Sequence, residues 1–500
     1  MPLEEIVSSR VRGSCPFVND HTLARCRRSR GHAGRALPAL AGLRWLDPLG
    51  PLRQDARTSR READVMPKQP NIVFIMADDL GYADVGCYGR PELSTPNIDR
   101  IAARGVRLTQ GYANSAVCSA TRLALITGRY QYRLPLGLEE PLAGKLDVGL
   151  PPDHPTLPSL LRDAGYRTAL IGKWHLGLPP KFGPLKSGYE LFYGMRTGAA
   201  DYFSHQNTRG GHDLWHGDEQ VHQSGYLTDL IGERAVAAVN DFARGSQPFL
   251  LSLHFNAPHW PWEAPGDRAE SDRLRGRNLR HYDGGTQRIY YRMIEAMDLQ
   301  IGRVLQALDV HGLSDDTIVV FTSDNGGERF SDTWPFTGIK TELLEGGLRV
   351  PTLVCWPARI PAGQVNTQVA ITMDWFATLL EAAGVAPHPD FPPDGISLLP
   401  MLTGEAAPQK RTLFWRYKTN AQRAMREGDF KYLKIRDNSF LFNVADDPRE
   451  RANLQDRRRD LAEGMVAAWH AWNATMLPES PDSFAETYTA GQLADHIGLV

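Results

Sequence analysis

Two pairs in this chain, Asp78-Asp79 and Asp324-Asn325, offer oxygen ligands only. Hard divalent cations such as calcium or magnesium take that donor set, and zinc does not favour it. A second group, Lys173, His175, His259 and Lys340, consists of hydrogen-bond donors and proton carriers. Cys118 opens the stretch Cys118-Ser119-Ala120-Thr121-Arg122-Leu123-Ala124-Leu125-Ile126-Thr127-Gly128-Arg129. Small residues, then an apolar run, then a glycine stop predict a short helix with Cys118 at its N-terminus. Free backbone N–H groups and the positive end of the helix dipole favour a nucleophile or an anion there. A cation and several cationic donors around one nucleophile is a layout for transferring an anionic group such as sulfuryl or phosphoryl.

The elements that must position these groups are legible as alternating strands and helices. Residues 71–76 form a short apolar run bounded by Pro70 and Asp78, as expected of a strand buried on both faces. Further strands are predicted at 168–171, 249–255 and 317–322. Helices are predicted at 96–104 with Thr95 as N-cap, at 157–164, at 226–244 and at 287–308. Such alternation implies an α/β fold, a large and mostly parallel sheet sandwiched by helices. Asp78 and Asp79, Lys173 and His175, His259, and Asp324 with Asn325 each follow one of four strands. Open parallel sheets bind ligands beyond the carboxyl ends of their strands, so these groups are expected to converge on one crevice.

Composition excludes other classes. Five hundred residues with 42% hydrophobic and 23% charged residues describe a globular chain. A net charge of -2 gives no electrostatic footprint for nucleic acid or an anionic membrane. No apolar run reaches the ~20 residues of a membrane span. Five cysteines without repeated CxxC spacing suit neither a disulfide framework nor a zinc cage. Residues 1–67, Arg-rich and without period or signal-peptide core, are expected to be a disordered or non-native extension, with Met66 as an alternative start. The chain as written is therefore expected in the cytoplasm, or in the periplasm or outside the cell if the true N-terminus differs.

Six stretches in order carry a resemblance: 71–79, 118–129, Gly172-Lys173-Trp174-His175, Asn256-Ala257-Pro258-His259, Ser323-Asp324-Asn325-Gly326-Gly327, and Gly338-Ile339-Lys340 with 345–351. Through them the chain from 71 to about 454 resembles the sulfatase family of the alkaline-phosphatase-like superfamily. The resemblance implies that Cys118 is converted to formylglycine by a formylglycine-generating enzyme or an anaerobic maturase. It implies that Asp78, Asp79, Asp324 and Asn325, with residue 118, hold a divalent cation, calcium first and magnesium as the alternative. Arg122 and Lys173 would hold residue 118, and Asp324 would accept the proton of its attacking hydroxyl. His259 and Lys340 would bind sulfate oxygens and assist the leaving alcohol, and His175 would take the proton that lets sulfate be expelled. The family signature has proline two residues after the cysteine, and Ala120 stands here. Proline biases a chain toward extended forms and alanine toward helix, so slower conversion or a particular maturase is expected.

Residues 68–400 are thus expected to form the catalytic domain. Residues 401–500 should form a small antiparallel-sheet domain, with strands at 412–417, 422–426, 430–435 and 441–444 and a helix at 457–473. The aromatic and histidine-rich stretch 181–226, with Tyr202, His205, His212, Trp215 and His216, is expected to line the pocket rim together with Trp260 and Trp262. The sequence leaves three functions open: a sulfuric ester hydrolase for an aryl or carbohydrate sulfate, a phosphonate or phosphodiester hydrolase of the same fold, and a non-catalytic binder of sulfated sugars if Cys118 stays a thiol. The particular ester and the oligomeric state are not legible.

Overall fold

The computed structural model describes residues 69–494 and 496, so the expectations for residues 1–67 lie outside the described part. Ten strands form one sheet: β1 (Asn71–Ala77), β2 (Val106–Tyr112), β3 (Arg167–Gly172), β4 (Leu191–Gly194), β5 (Trp215–His216), β6 (Glu219–Gln220), β7 (Phe249–His254), β8 (Thr317–Ser323), β9 (Thr352–Cys355) and β10 (Gln364–Ile371). Their order is β10-β2-β9-β8-β1-β7-β3-β4-β5-β6. The central strands β8, β1, β7, β3 and β4 run parallel, while β9 is antiparallel to both neighbours, so the sheet is mostly parallel with mixed margins.

Every residue of β1 is buried. Val73, Ile75 and Ala77 face a core that includes Tyr290, Met293, Met297 and Ile301 of the helix Gln287–Val310. Ile72, Phe74 and Met76 face the other core, with Leu123 and Ile126 of the helix Cys118–Thr127. Alternation across a pleat with apolar residues on both sides is what a strand covered by helices on both faces requires. The helix Pro96–Arg104 forms as expected, but Thr95 does not cap it. The Thr95 hydroxyl accepts the Gly86 N–H at 2.8 Å. The helix's own Asn97 and Ile98 N–H groups donate instead to Asp298, at 3.0 and 2.8 Å.

The second sheet is antiparallel, β11 (Thr412–Tyr417), β12 (Gln422–Glu427), β13 (Phe430–Ile435) and β14 (Asn438–Asn443) in that order. One face packs on Met465 and Trp469 of the helix Arg459–Asn473. The other contributes Leu413, Trp415 and Tyr417 to a core shared with Val117, Ala120 and Ala124, and Trp415 Nε1 donates to Ala113 O at 2.9 Å. The small sheet therefore braces the back of the helix that begins at Cys118. Among the described residues no helix is long and apolar enough to cross a membrane, and Cys87, Cys118 and Cys355 are free.

Candidate active site

Parallel register brings the site together. Ala77 pairs with Ser323, and Met76 and Gly172 both pair with His254, so β1, β8, β7 and β3 end at one level. The chain just past each end carries Asp78-Asp79, Asp324-Asn325, His259 and Lys173–His175. Two local features fix the turns. Gly172 has φ +115°, and a Cβ there would stand 1.8 Å from His254 O, so only glycine lets β3 end against β7. A Cβ on Gly326 would meet Gly346 O at 2.0 Å, which is why the segments around Asn325 and Glu345 are glycine-rich where they meet. Asp79 (φ 61°) and His175 (φ 59°) adopt the left-handed region without being glycine. That conformation costs roughly 1–2 kcal/mol per residue, and here it aims two of the polar side chains.

All ten residues singled out from the sequence converge. Lys173 Nζ donates to both Asp78 oxygens (2.9 and 2.6 Å), and Arg122 Nε donates to Asp324 Oδ2 (2.9 Å). Lys340 Nζ donates to Asp79 Oδ2 (2.8 Å), and Asn325 Nδ2 donates to Asp79 Oδ1 (2.7 Å). Ligand atoms of Asp78, Cys118 and Asp324 lie within 4.8 Å of one another, as do those of Asp78, Asp79 and His259. Asn325 Oδ1 is buried with no hydrogen-bond partner. Three buried carboxylates plus an orphaned amide oxygen are a fit for a hard divalent cation.

Burial and the neighbouring cations act unequally on the carboxylates and the imidazoles. Burial pushes Asp78 well above the usual carboxylate range in spite of Lys173. Asp324 meets the same desolvation, but Arg122 and Lys173 overcome it and hold this carboxyl below its ordinary value. Burial, reinforced by Lys173, keeps His175 far below the usual imidazole value, and burial with Lys340 and Lys173 does the same for His259. Both rings therefore favour the neutral form. Their tautomers follow from their partners, because a carbonyl oxygen only accepts. His175 Nε2 donates to Leu142 O (2.9 Å), leaving the Nδ1 lone pair 3.3 Å from Cys118 Sγ. His259 Nδ1 donates to Trp260 O (2.8 Å), leaving Nε2 to accept from Lys340 Nζ (3.3 Å).

A cavity of about 200 Å³ opens over Cys118, His175, His259 and Lys340. The stretch 181–226 does reach it, but through Arg196–Ala199 and Asn207–Arg209. Tyr202 is buried beneath the site, its hydroxyl donating to Asn256 O and His259 O, and Trp262 is packed among Tyr290 and Phe330. Of the expected aromatic rim only Trp260 lines the cavity. Arg280, Phe484 and Glu486 line it as well, and sequence reasoning missed all three. Phe484 and Glu486 belong to the C-terminal segment, which is therefore more than a brace behind the site.

The sulfatase family model matches residues 70–385, and that of the N-sulphoglucosamine sulphohydrolase C-terminal region matches residues 339–466. The N-acetylgalactosamine-6-sulfatase of Rattus norvegicus is 34% identical over 390 residues, 73% of this chain and 71% of that protein. The steryl-sulfatase of Homo sapiens is 30% identical over 536 residues, 83% of this chain and 90% of that protein. The crystal structure of Ps i-CgsB in complex with k-i-k-neocarrahexaose superposes with a TM-score of 0.76 at 30% identity, covering 86% of this chain and 98% of that one. The phosphonate monoester hydrolase of Agrobacterium radiobacter, at 21% identity and TM-score 0.57, shares the fold. With the six stretches assembled into one pocket and these relatives spanning most of its length, the chain belongs to the sulfatase family and is an enzyme that hydrolyses sulfate esters.

Proposed function

We propose that this sulfatase releases sulfate from a sulfated sugar or aryl ester through formylglycine at position 118. Calcium, with magnesium as the alternative, would be held by Asp78, Asp79, Asp324, Asn325 and residue 118. The reading is carried by the contact between His175 Nδ1 and Cys118 Sγ on a ring whose other nitrogen is committed to Leu142 O. As a thiol, position 118 is a poor nucleophile, because burial pushes its pKa up to about 12 against the pull of Lys173 and Lys340. A hydrated aldehyde supplies what the thiol lacks, one hydroxyl to attack sulfur and a second whose electrons expel sulfate and restore the aldehyde. A cation held by these residues would supply positive charge that favours ionised oxygen at this position.

The remaining steps belong to the chain's own side chains. Asp324, held ionised by Arg122 and Lys173, accepts the proton of the attacking hydroxyl. Arg122 and Lys173 keep the nucleophile and the carboxylates in register. The Lys340–His259 pair meets the sulfate oxygens and the departing oxygen, and the proton they share neutralises the alkoxide as the ester bond breaks. His175 Nδ1 then takes the proton of the second hydroxyl. Residues 68–400 would form the catalytic domain and residues 401–500 the supporting one, and a formylglycine-generating enzyme or anaerobic maturase would act on the Cys118 segment.

A sulfated sugar is supported by the names of two relatives, the N-acetylgalactosamine-6-sulfatase and the protein crystallised with a neocarrahexaose, and the steryl-sulfatase keeps other esters open. The test is the rate on sulfate, phosphate and phosphonate esters that share one leaving group. Preference for the sulfate ester is expected. Faster phosphonate or phosphodiester cleavage would overturn the reading in favour of the other hydrolase of this fold.

A further inference from the structure

We infer that Glu486, paired with Arg280 beside Trp260, reads ring hydroxyl groups and makes the pocket select a sulfated sugar over an aryl or steroid sulfate. The inference rests on the sulfatase reading above and narrows its substrate class.

Glu486 lies beyond the last helix, on a segment stitched into place on both sides. Glu140 N donates to Phe484 O (2.9 Å), Glu486 N donates to Glu140 O (2.7 Å), and the Tyr417 hydroxyl donates to Glu486 O (2.9 Å). The backbone is thereby fixed, and the side chain, 3% exposed, enters the cavity above Cys118. One carboxylate oxygen pairs with Arg280 Nη2, and the other stands 4.0 Å from Lys340 Nζ.

A carboxylate in a pocket that receives an anion repels the sulfate and weakens the attraction of Lys340. What it offers in exchange is acceptor capacity, since an ionised carboxylate has about four lone-pair sites and Arg280 takes up only part of them. With Arg280 at its side the wall presents acceptors and donors together. Sugar hydroxyls, each both donor and acceptor, match that array, whereas an aryl or steroid skeleton leaves it unpaired. Trp260 completes the arrangement. Its ring lies 4.3 Å, centroid to centroid, from the His259 ring and has Arg280 Cζ 5.6 Å from its centroid, so an apolar surface for a ring sits beside both the departing oxygen and the hydroxyl-reading pair.

The experiment compares kcat/KM for methyl hexopyranoside monosulfates, their singly deoxygenated analogues and 4-methylumbelliferyl sulfate in wild-type enzyme, Glu486→Ala and Glu486→Gln. The ratio of sugar to aryl turnover is expected to fall about 10–100-fold in Glu486→Ala, and Glu486→Gln, whose amide oxygen still accepts, should recover part of it. Wild-type enzyme, which needs no variant to fold, should lose a similar factor on one deoxy analogue, and Glu486→Ala should lose no more on that analogue. Equal losses on sugar and aryl esters in both variants, or a wild-type enzyme indifferent to every deoxygenation, overturn the inference while leaving the sulfatase reading intact. A wild-type enzyme inactive on all sulfate esters overturns both.

Discussion

His175 Nδ1 stands 3.3 Å from Cys118 Sγ while the opposite ring nitrogen donates to Leu142 O at 2.9 Å. The carbonyl fixes the tautomer, and burial with Lys173 favours the neutral ring, so the free lone pair of Nδ1 faces residue 118. If that acceptor serves the expulsion of sulfate, replacing His175 by Ala should leave the first half-reaction and block the second. Rapid-mixing assays should then show a burst of alcohol near one equivalent, with steady turnover reduced about 10²–10⁴-fold. Equal slowing of the burst and the steady phase would assign His175 to the first step.

The cation prediction follows from the buried oxygen donors Asp78, Asp79 and Asp324 beside the orphaned Asn325 Oδ1, a set that suits a hard divalent cation. Prolonged chelation should lower activity and the thermal midpoint together, and calcium should restore both, because an ion bound only by the folded chain stabilises it. Scanning calorimetry with and without chelator checks this. An unchanged midpoint and rate would remove these residues from metal binding.

Replacing His259 by Ala should depress turnover about 10²–10⁴-fold for esters with poor leaving groups. Esters of acidic phenols need little protonation and should suffer less. A Brønsted plot against leaving-group pKa should therefore steepen in the variant. A parallel displacement of the whole line would give His259 a role in sulfate binding alone.

Stability should carry a pH signature from Glu140, buried under the C-terminal segment and accepting Lys418 N at 2.7 Å. Burial raises its folded pKa to about 8 from an ordinary 4.5. Its contribution to stability is therefore complete below about pH 4.5 and is lost as pH rises through 8, where the carboxyl must ionise in place. Glu140→Gln keeps an acceptor without the titration. Between pH 5 and 8.5 the variant should gain on wild type by on the order of 1–3 kcal/mol in denaturant unfolding. A difference that does not vary with pH would show that the carboxyl ionises freely in the folded state.

What was legible in the sequence, and what was not, has a physical pattern. β1, β3, β7 and β8 read directly because strands covered on both faces are short continuous apolar runs, and the polar residues just past them mark the ligand-binding end of the sheet. β9 and β10 did not: β9 has four residues following Pro351, and half of β10, around Asn366, is exposed and carries no buried period. Within 181–226 the residue types suggested a rim, but a loop without period gives no sign of which side chains face inward, and Tyr202 and His205 turned out to be buried. Glu486 had no local signal at all, since only tertiary pairing with Glu140 brings it to the cavity. Thr95 looked like a helix cap from its position, and Asp298, two hundred residues away in the chain, supplies the acceptor instead.

Residue 118 should work as an aldehyde. Peptide mass spectrometry across it in active enzyme decides this, with the peptide ending at Arg122 as the reporter. Sulfur replaced by oxygen with two hydrogens fewer is expected there, with a modified fraction that tracks specific activity and is limited where Ala120 slows conversion. Fully active enzyme carrying only an alkylatable thiol at position 118 would contradict it.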